Sequence, residues 1–197
     1  MSSADTIAAI ATAPGRGGVA VVRVSGPDAW DVARKVSGRS VTGADAGRFF
    51  YCDFRGSDGK VADSGLLLVF KSPSSYTGED VVEFQGHGGS VAPRRVLEAC
   101  FAAGARLARR GEFTQRAFLN GKLDLSAAEA VIDLVDARTG RAADEAQSRL
   151  RGALSADTNL FMMTRSRRRA GWSICSMSMK ARFPTARWTN TRRVSKI

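Results

Sequence analysis

Apolar and polar positions change period several times along the first 120 residues. Residues 6–11 form a short apolar run, and residues 19–25 (VAVVRVS) read as a strand with Arg23 set among valines. Between them, the glycine density of APGRGG at 13–18 predicts a turn. Ser25, Gly26 and Pro27 interrupt the second strand. Trp30, Val32, Ala33 and Val36 then recur at helical spacing until Gly38. Strands are predicted at 49–54 and 61–70 around a Gly-Ser-Asp-Gly turn, and at 81–85 ahead of a GHGG turn at 86–89. A polar loop, 71–80, leads into the last of these. Residues 91–103 carry Val96, Leu97, Cys100 and Phe101 on one helical face and close at Gly104. Strands interleaved with helices predict an α+β domain on a mixed β-sheet.

The pattern changes again near Leu123. Ser126 followed by Glu129 has the form of a capping box. Ala130, Val131, Leu134, Val135, Ala142, Ala146 and Leu150 continue one apolar stripe, which predicts a single long helix from 127 into 151. The expected organisation is a domain over 1–122, the start of a helical domain over 123–159, and a tail over 160–197.

Charge changes this picture. The 197 residues carry a net charge of +11, but all nineteen acidic residues lie at or before Asp157. The body is therefore nearly neutral, and the tail carries ten Lys and Arg with no acid. Three cysteines without CxxC spacing fit a reducing, cytoplasmic setting better than a disulfide framework or a zinc site. No apolar run has the length of a membrane span, and the N-terminus lacks the basic and apolar regions of a secretory signal.

Three stretches, in order and correctly spaced, carry a resemblance: DTIAAIATAPGRGGVAVVRVSG at 5–26, YTGEDVVEFQGHGG at 76–89 and RRGEFTQRAFLNGKLDLSAAEAVIDLVDA at 109–137. Together they resemble the N-terminal part of the MnmE (TrmE) family of tRNA-modification GTPases, over roughly residues 4–159. Arg110 departs from the family, which usually has proline there, and the change falls in a turn. The resemblance implies a fold like the tetrahydrofolate-binding domain of aminomethyltransferases. It implies a homodimer that binds 5-formyltetrahydrofolate or 5,10-methylenetetrahydrofolate, with Arg23, Glu83 and Lys122 at the folate site. In the full-length family, the enzyme works with MnmG (GidA), an FAD protein, on carbon 5 of the wobble uridine of tRNA. GTP, Mg and K belong to that full-length family.

The chemistry of the three residues stands beside the resemblance. An arginine in an apolar strand needs a partner. Alternation places Glu83 on a defined strand face, where a carboxylate accepts the paired N–H groups of a pterin as it accepts an arginine fork. Arg23 and Lys122 can meet the anionic parts of a folate. Equally, Arg23 and Glu83 can pair with each other across the sheet, and Lys122 alone reads as a surface lysine. PGRGG can be an anion-binding nest or a strand-to-strand turn. His87, the one histidine, makes no metal site and takes a turn role.

The chain has no GxxxxGK[ST]: Gly59-Lys60 and Gly121-Lys122 are followed by Val61 and Leu123. It also lacks an Asn-Lys-x-Asp segment and the family's C-terminal cysteine motif, so no GTPase activity is expected of it. The resemblance stops after Asn159, and the expectation is a truncated product whose tail is out of frame or disordered; a disordered basic arm for nucleic acid and a lineage-specific helix are the competing explanations to a frameshift. Reading residues 172–197 one base earlier on GC-rich synonymous codons gives an acidic, helix-compatible peptide. Two other readings are a non-catalytic folate-binding scaffold and a basic RNA-binding protein acting through its tail.

Overall fold

The computed structural model describes residues 5–152. The basic tail, and the frame change expected for it, lie outside the described residues. The elements run β1 (Ile7–Ile10), β2 (Val19–Ser25), α1 (Ala29–Ser37), β3 (Phe49–Arg55), β4 (Val61–Phe70), β5 (Val81–His87), α2 (Ala92–Ala102), β6 (Arg106–Leu107), α3 (Glu112–Leu119), α4 (Leu125–Asp136) and α5 (Gly140–Leu150). A single 3-10 turn spans Gly43–Asp45. The strands form one sheet in the order β3-β4-β5-β2-β1-β6, antiparallel except where β1 meets β6. The fold is α+β with a mixed sheet, as the interleaved pattern predicts.

Alternation sorts each strand into two faces. Val22 and Val24, Leu67 and Val69, Val82 and Phe84, with Phe54, point to the side that α1 and α2 cover. There they pack on Val32, Val36, Val96 and Cys100. Phe54 and Phe84 meet edge to face, ring centres 5.1 Å apart. Burial pushes the Cys100 thiol up to about 12, so this cysteine is a core side chain rather than a reactive one.

The opposite face shows its composition through register. Phe49, Leu68, Glu83, Arg23 and Ala9 stand side by side on successive strands, and Tyr51, Leu66, Gln85 and Val21 form the next row. Phe49 and Tyr51, near the β3 edge, are 69% and 75% exposed.

Several boundaries differ from the sequence expectation. The predicted long helix is two helices. Ala137 leaves helical geometry (ψ 123°), and Thr139 caps α5 through a bond from the Ala142 N–H. A threonine followed by glycine starts a helix more readily than it continues one, so the apolar stripe belongs to a helical hairpin. The Ser126–Glu129 box does not cap α4. Asp124 is the N-cap, in extended conformation, and accepts from the Ala127 N–H at 2.8 Å. The expected GHGG turn is half strand, because Gly86 and His87 continue β5. Strand β6 and helix α3 were not expected.

Candidate functional site

The row across the open face brings Arg23 and Glu83 together. They are direct register partners on β2 and β5, and the Arg23 Nε donates to Glu83 Oε1 at 2.8 Å. Glu83 Oε2 accepts from Gln85 Nε2 at 3.3 Å. The pair is mostly shielded, with 24% of the Arg23 side chain and 13% of the Glu83 side chain exposed. The cross-strand pairing read from the sequence is therefore present.

Two further segments close over the arginine. The 71–80 connection between β4 and β5 brings the Tyr76 ring to 5.1 Å from the guanidinium carbon, and α3 brings the Phe113 ring to 5.6 Å. A guanidinium against aromatic faces is attracted to their π electrons. The Tyr76 hydroxyl shares a 2.9 Å hydrogen bond with the Thr114 hydroxyl, which ties the two walls together.

Lys122 lies elsewhere on the same construction. Its Nζ donates to the Pro73 carbonyl at 3.0 Å, and its side chain runs beside Gly78. Lys122 thus bonds to the 71–80 loop, whereas Arg23 and Glu83 bond to each other. An ammonium has three donors, so the bond to Pro73 leaves it able to meet an anion.

Beneath the loop sits a cluster of charge. Arg116 is 3% exposed and donates to Glu79, Asp5 and Glu112; Arg106 donates to Glu112 and Asp5. The Arg106 guanidinium holds the Glu112 carboxyl well below the usual carboxylate range, against the opposing effect of burial. It also lowers the Asp5 carboxyl.

His87 and the glycine turns form a separate neighbourhood. Burial works to raise the Asp63 carboxyl, but the His87 ring at 2.7 Å and the backbone N–H groups of Ser64 and His87 outweigh it, and its pKa is lowered. The two glycine turns meet backbone to backbone. A Cβ on Gly88 would lie 1.9 Å from the Gly17 carbonyl oxygen. They border a cleft of ≈ 360 Å³ that also touches Ile10, Pro93 and Arg94. Among the described residues, no group of three or more His, Cys, Asp and Glu is placed to hold a metal ion, and no helix is long and apolar enough to cross a membrane.

Sequence reasoning missed Tyr76, Phe113 and Arg116. All three lie inside the quoted motif stretches, but only the fold shows that the loop and α3 converge on Arg23.

A six-stranded mixed sheet, backed by two helices and carrying an ion-paired row on its open side, makes this an α+β domain followed by a helical hairpin. Residues 6–122 match the family described as GTP-binding protein TrmE N-terminus, and the chain belongs to that family. It is 54% identical over 162 residues to the "tRNA modification GTPase MnmE" of Laribacter hongkongensis, covering 82% of this chain and 35% of that protein. The protein of the same name from Bordetella parapertussis is 52% identical over 81% of this chain and 36% of its own length. That from Neisseria meningitidis serogroup B is 53% identical over 76% of this chain and 33% of its own. The chain spans about a third of the length of the curated relatives it matches.

Proposed function

We propose that this chain is the N-terminal, folate-binding and dimerising part of an enzyme that modifies carbon 5 of the wobble uridine in tRNA. The carrying observation is the Arg23–Glu83 pair, directly opposed on neighbouring strands of the open face, with Tyr76 and Phe113 against the guanidinium. The donor set fits a formyl- or methylene-tetrahydrofolate. Glu83 has lone pairs beyond those used by Arg23 and Gln85, and would accept from the pterin amino and ring N–H groups. Arg23 and Lys122 would meet anionic parts of the ligand, and the aromatic rings suit its flat ring system. The folate, when bound, supplies a one-carbon unit. Resemblance to the folate domain of aminomethyltransferases belongs to the same reading, as do MnmG, tRNA, a cytoplasmic location, and the GTP, Mg and K of the full-length family.

Titration of the chain with 5-formyltetrahydrofolate tests it. Wild type is expected to bind saturably, and Glu83→Ala to bind about tenfold to a hundredfold more weakly, the loss of one charged hydrogen-bonding group. Unchanged affinity in the variant removes Glu83 from the site. No binding by folded wild type rejects the folate reading and favours a structural ion pair.

Dimerisation finds support on the same face. Phe49 and Tyr51 form an exposed apolar patch on the edge strand β3, in register with Leu68 and Leu66 and so continuous with the Glu83 row. Tyr51→Glu is expected to raise the dimer dissociation constant by about tenfold or more in sedimentation velocity. An unaltered dimer would put the interface elsewhere.

A further inference from the structure

Two walls flank Arg23, and they come from segments far apart in sequence: Tyr76 from the 71–80 loop and Phe113 from α3. Neither wall is fixed by the sheet alone. Among the described residues, four polar contacts tie the loop to α3 and to the residues that follow it. Tyr76 and Thr114 share a hydroxyl hydrogen bond, Asn120 Nδ2 donates to the Thr77 carbonyl, and Lys122 Nζ donates to the Pro73 carbonyl. The fourth is the ion pair between Arg116 of α3 and Glu79 of the loop, Nη1 to Oε2 at 3.0 Å. It is the only one of the four with both side chains nearly shut off from solvent, at 4% and 9% exposure. Charged pairs gain strength and directional hold when water is excluded, provided their remaining atoms are bonded.

Apart from the Arg116 Nε, those remaining atoms are bonded. The Glu79 Oε2 also accepts from the Ser25 hydroxyl at 2.8 Å, and that hydroxyl shares a 2.7 Å bond with Thr77. Ser25 ends β2, two residues from Arg23. The same carboxylate therefore fixes the loop to α3 and to the strand that carries Arg23. On its other side, Arg116 donates to the Asp5 carbonyl at 2.9 Å and to Glu112 at 3.3 Å. Its Nε is the one buried side-chain nitrogen or oxygen without a hydrogen-bond partner among the described residues.

We propose that Arg116 is a positioning residue for the Arg23–Glu83 site. Through Glu79 and Ser25 it locks the 71–80 loop, helix α3 and strand β2 into one frame, and this frame keeps Tyr76 and Phe113 on the Arg23 guanidinium. The orientation of Arg23 toward a ligand is then set before binding. The ligand part rests on the folate reading above; the positioning part does not.

The test uses the full chain labelled uniformly in nitrogen-15. The Arg23 Nε–H resonance, assigned by its loss in Arg23→Lys, should be shifted by the two rings and slow to exchange in wild type. In Arg116→Lys, which keeps the charge but not the fork, it should move toward the free-arginine position and exchange at least about tenfold faster. The backbone amides of Val22 and Phe84 should keep their shifts, and the dissociation constant for 5-formyltetrahydrofolate should rise at least about tenfold. An unmoved Arg23 signal in the folded variant overturns the proposal. If Arg116→Lys does not fold, Glu79→Gln, which keeps the side chain's volume and its bond to Ser25, carries the same expectation and the same refutation. If wild type shows the shifted signal but binds no folate, the functional reading fails, and the response of the Arg23 signal alone decides the positioning role.

Discussion

Replacing Glu112 with alanine is expected to lower the unfolding free energy by about 3–5 kcal/mol, the usual result of removing one partner from a buried ionic cluster. Glu112 is 3% exposed and accepts from both Arg106 and Arg116 and from the Arg109 backbone N–H. Its removal leaves Arg116 buried with fewer opposing charges. Urea unfolding at neutral pH measures the effect; a change under about 1 kcal/mol would mean that Asp5 and Glu79 suffice. The pH dependence follows with a definite sign. The Glu112 carboxyl is held below its ordinary value of 4.5 in the folded protein. Its contribution is therefore complete above that value and is lost as pH falls through the lower, folded one. Stability of the wild type should drop more steeply than that of Glu112→Ala as pH falls from about 4.5.

Phe84→Ala is expected to cost a similar amount, about 3–5 kcal/mol, by opening a cavity in the core. The ring is 1% exposed and meets Phe54 edge on. For a domain of this size the loss corresponds to a fall in melting temperature of about 6–20 °C, readable by calorimetry. Phe84 points away from the open face while Glu83 points onto it. A variant that melts early but binds 5-formyltetrahydrofolate as wild type when folded would show that the sheet keeps its two faces energetically apart.

Most strands were legible because a half-buried strand writes its two faces into the sequence as alternation. The bounds of β2 and β4 follow from VAVVRVS and from the 61–70 segment, which the Gly-Ser-Asp-Gly turn opens and the apolar run 65–70 closes. Helix α3 was invisible for the opposite reason. Its buried positions are Glu112, Arg116 and Ala117, so its inner face is charged and gives no apolar stripe. The preceding Gly111 has a positive φ of 70° and no capping side chain, so the usual start signal is absent as well. The stripe through 127–150 was seen, but a helical hairpin and one long helix share that period, and only the Thr139 cap separates them.

The site was legible to the same uneven degree. Arg23 and Glu83 draw notice because charge in an apolar strand is unusual, and strand register then shows them opposed. Lys122 carries no such mark. Tyr76 and Phe113 sit in segments whose convergence depends on tertiary structure, and local pattern says nothing of it.

The charged cluster also sets an order of events during synthesis. Asp5 is held by Arg106 and by Arg116, a separation of up to 111 residues. At about 5–20 residues per second, the ribosome needs roughly 5–20 s to make that intervening chain. Through that interval β1 can pair with β2, but its other edge waits for β6, and the Glu79 carboxylate of the loop waits for Arg116 of α3. The frame around Arg23 is thus among the last parts to close. Until then the nascent sheet exposes both a bare β1 edge and the Asp5 and Glu79 carboxylates without their arginine partner from α3.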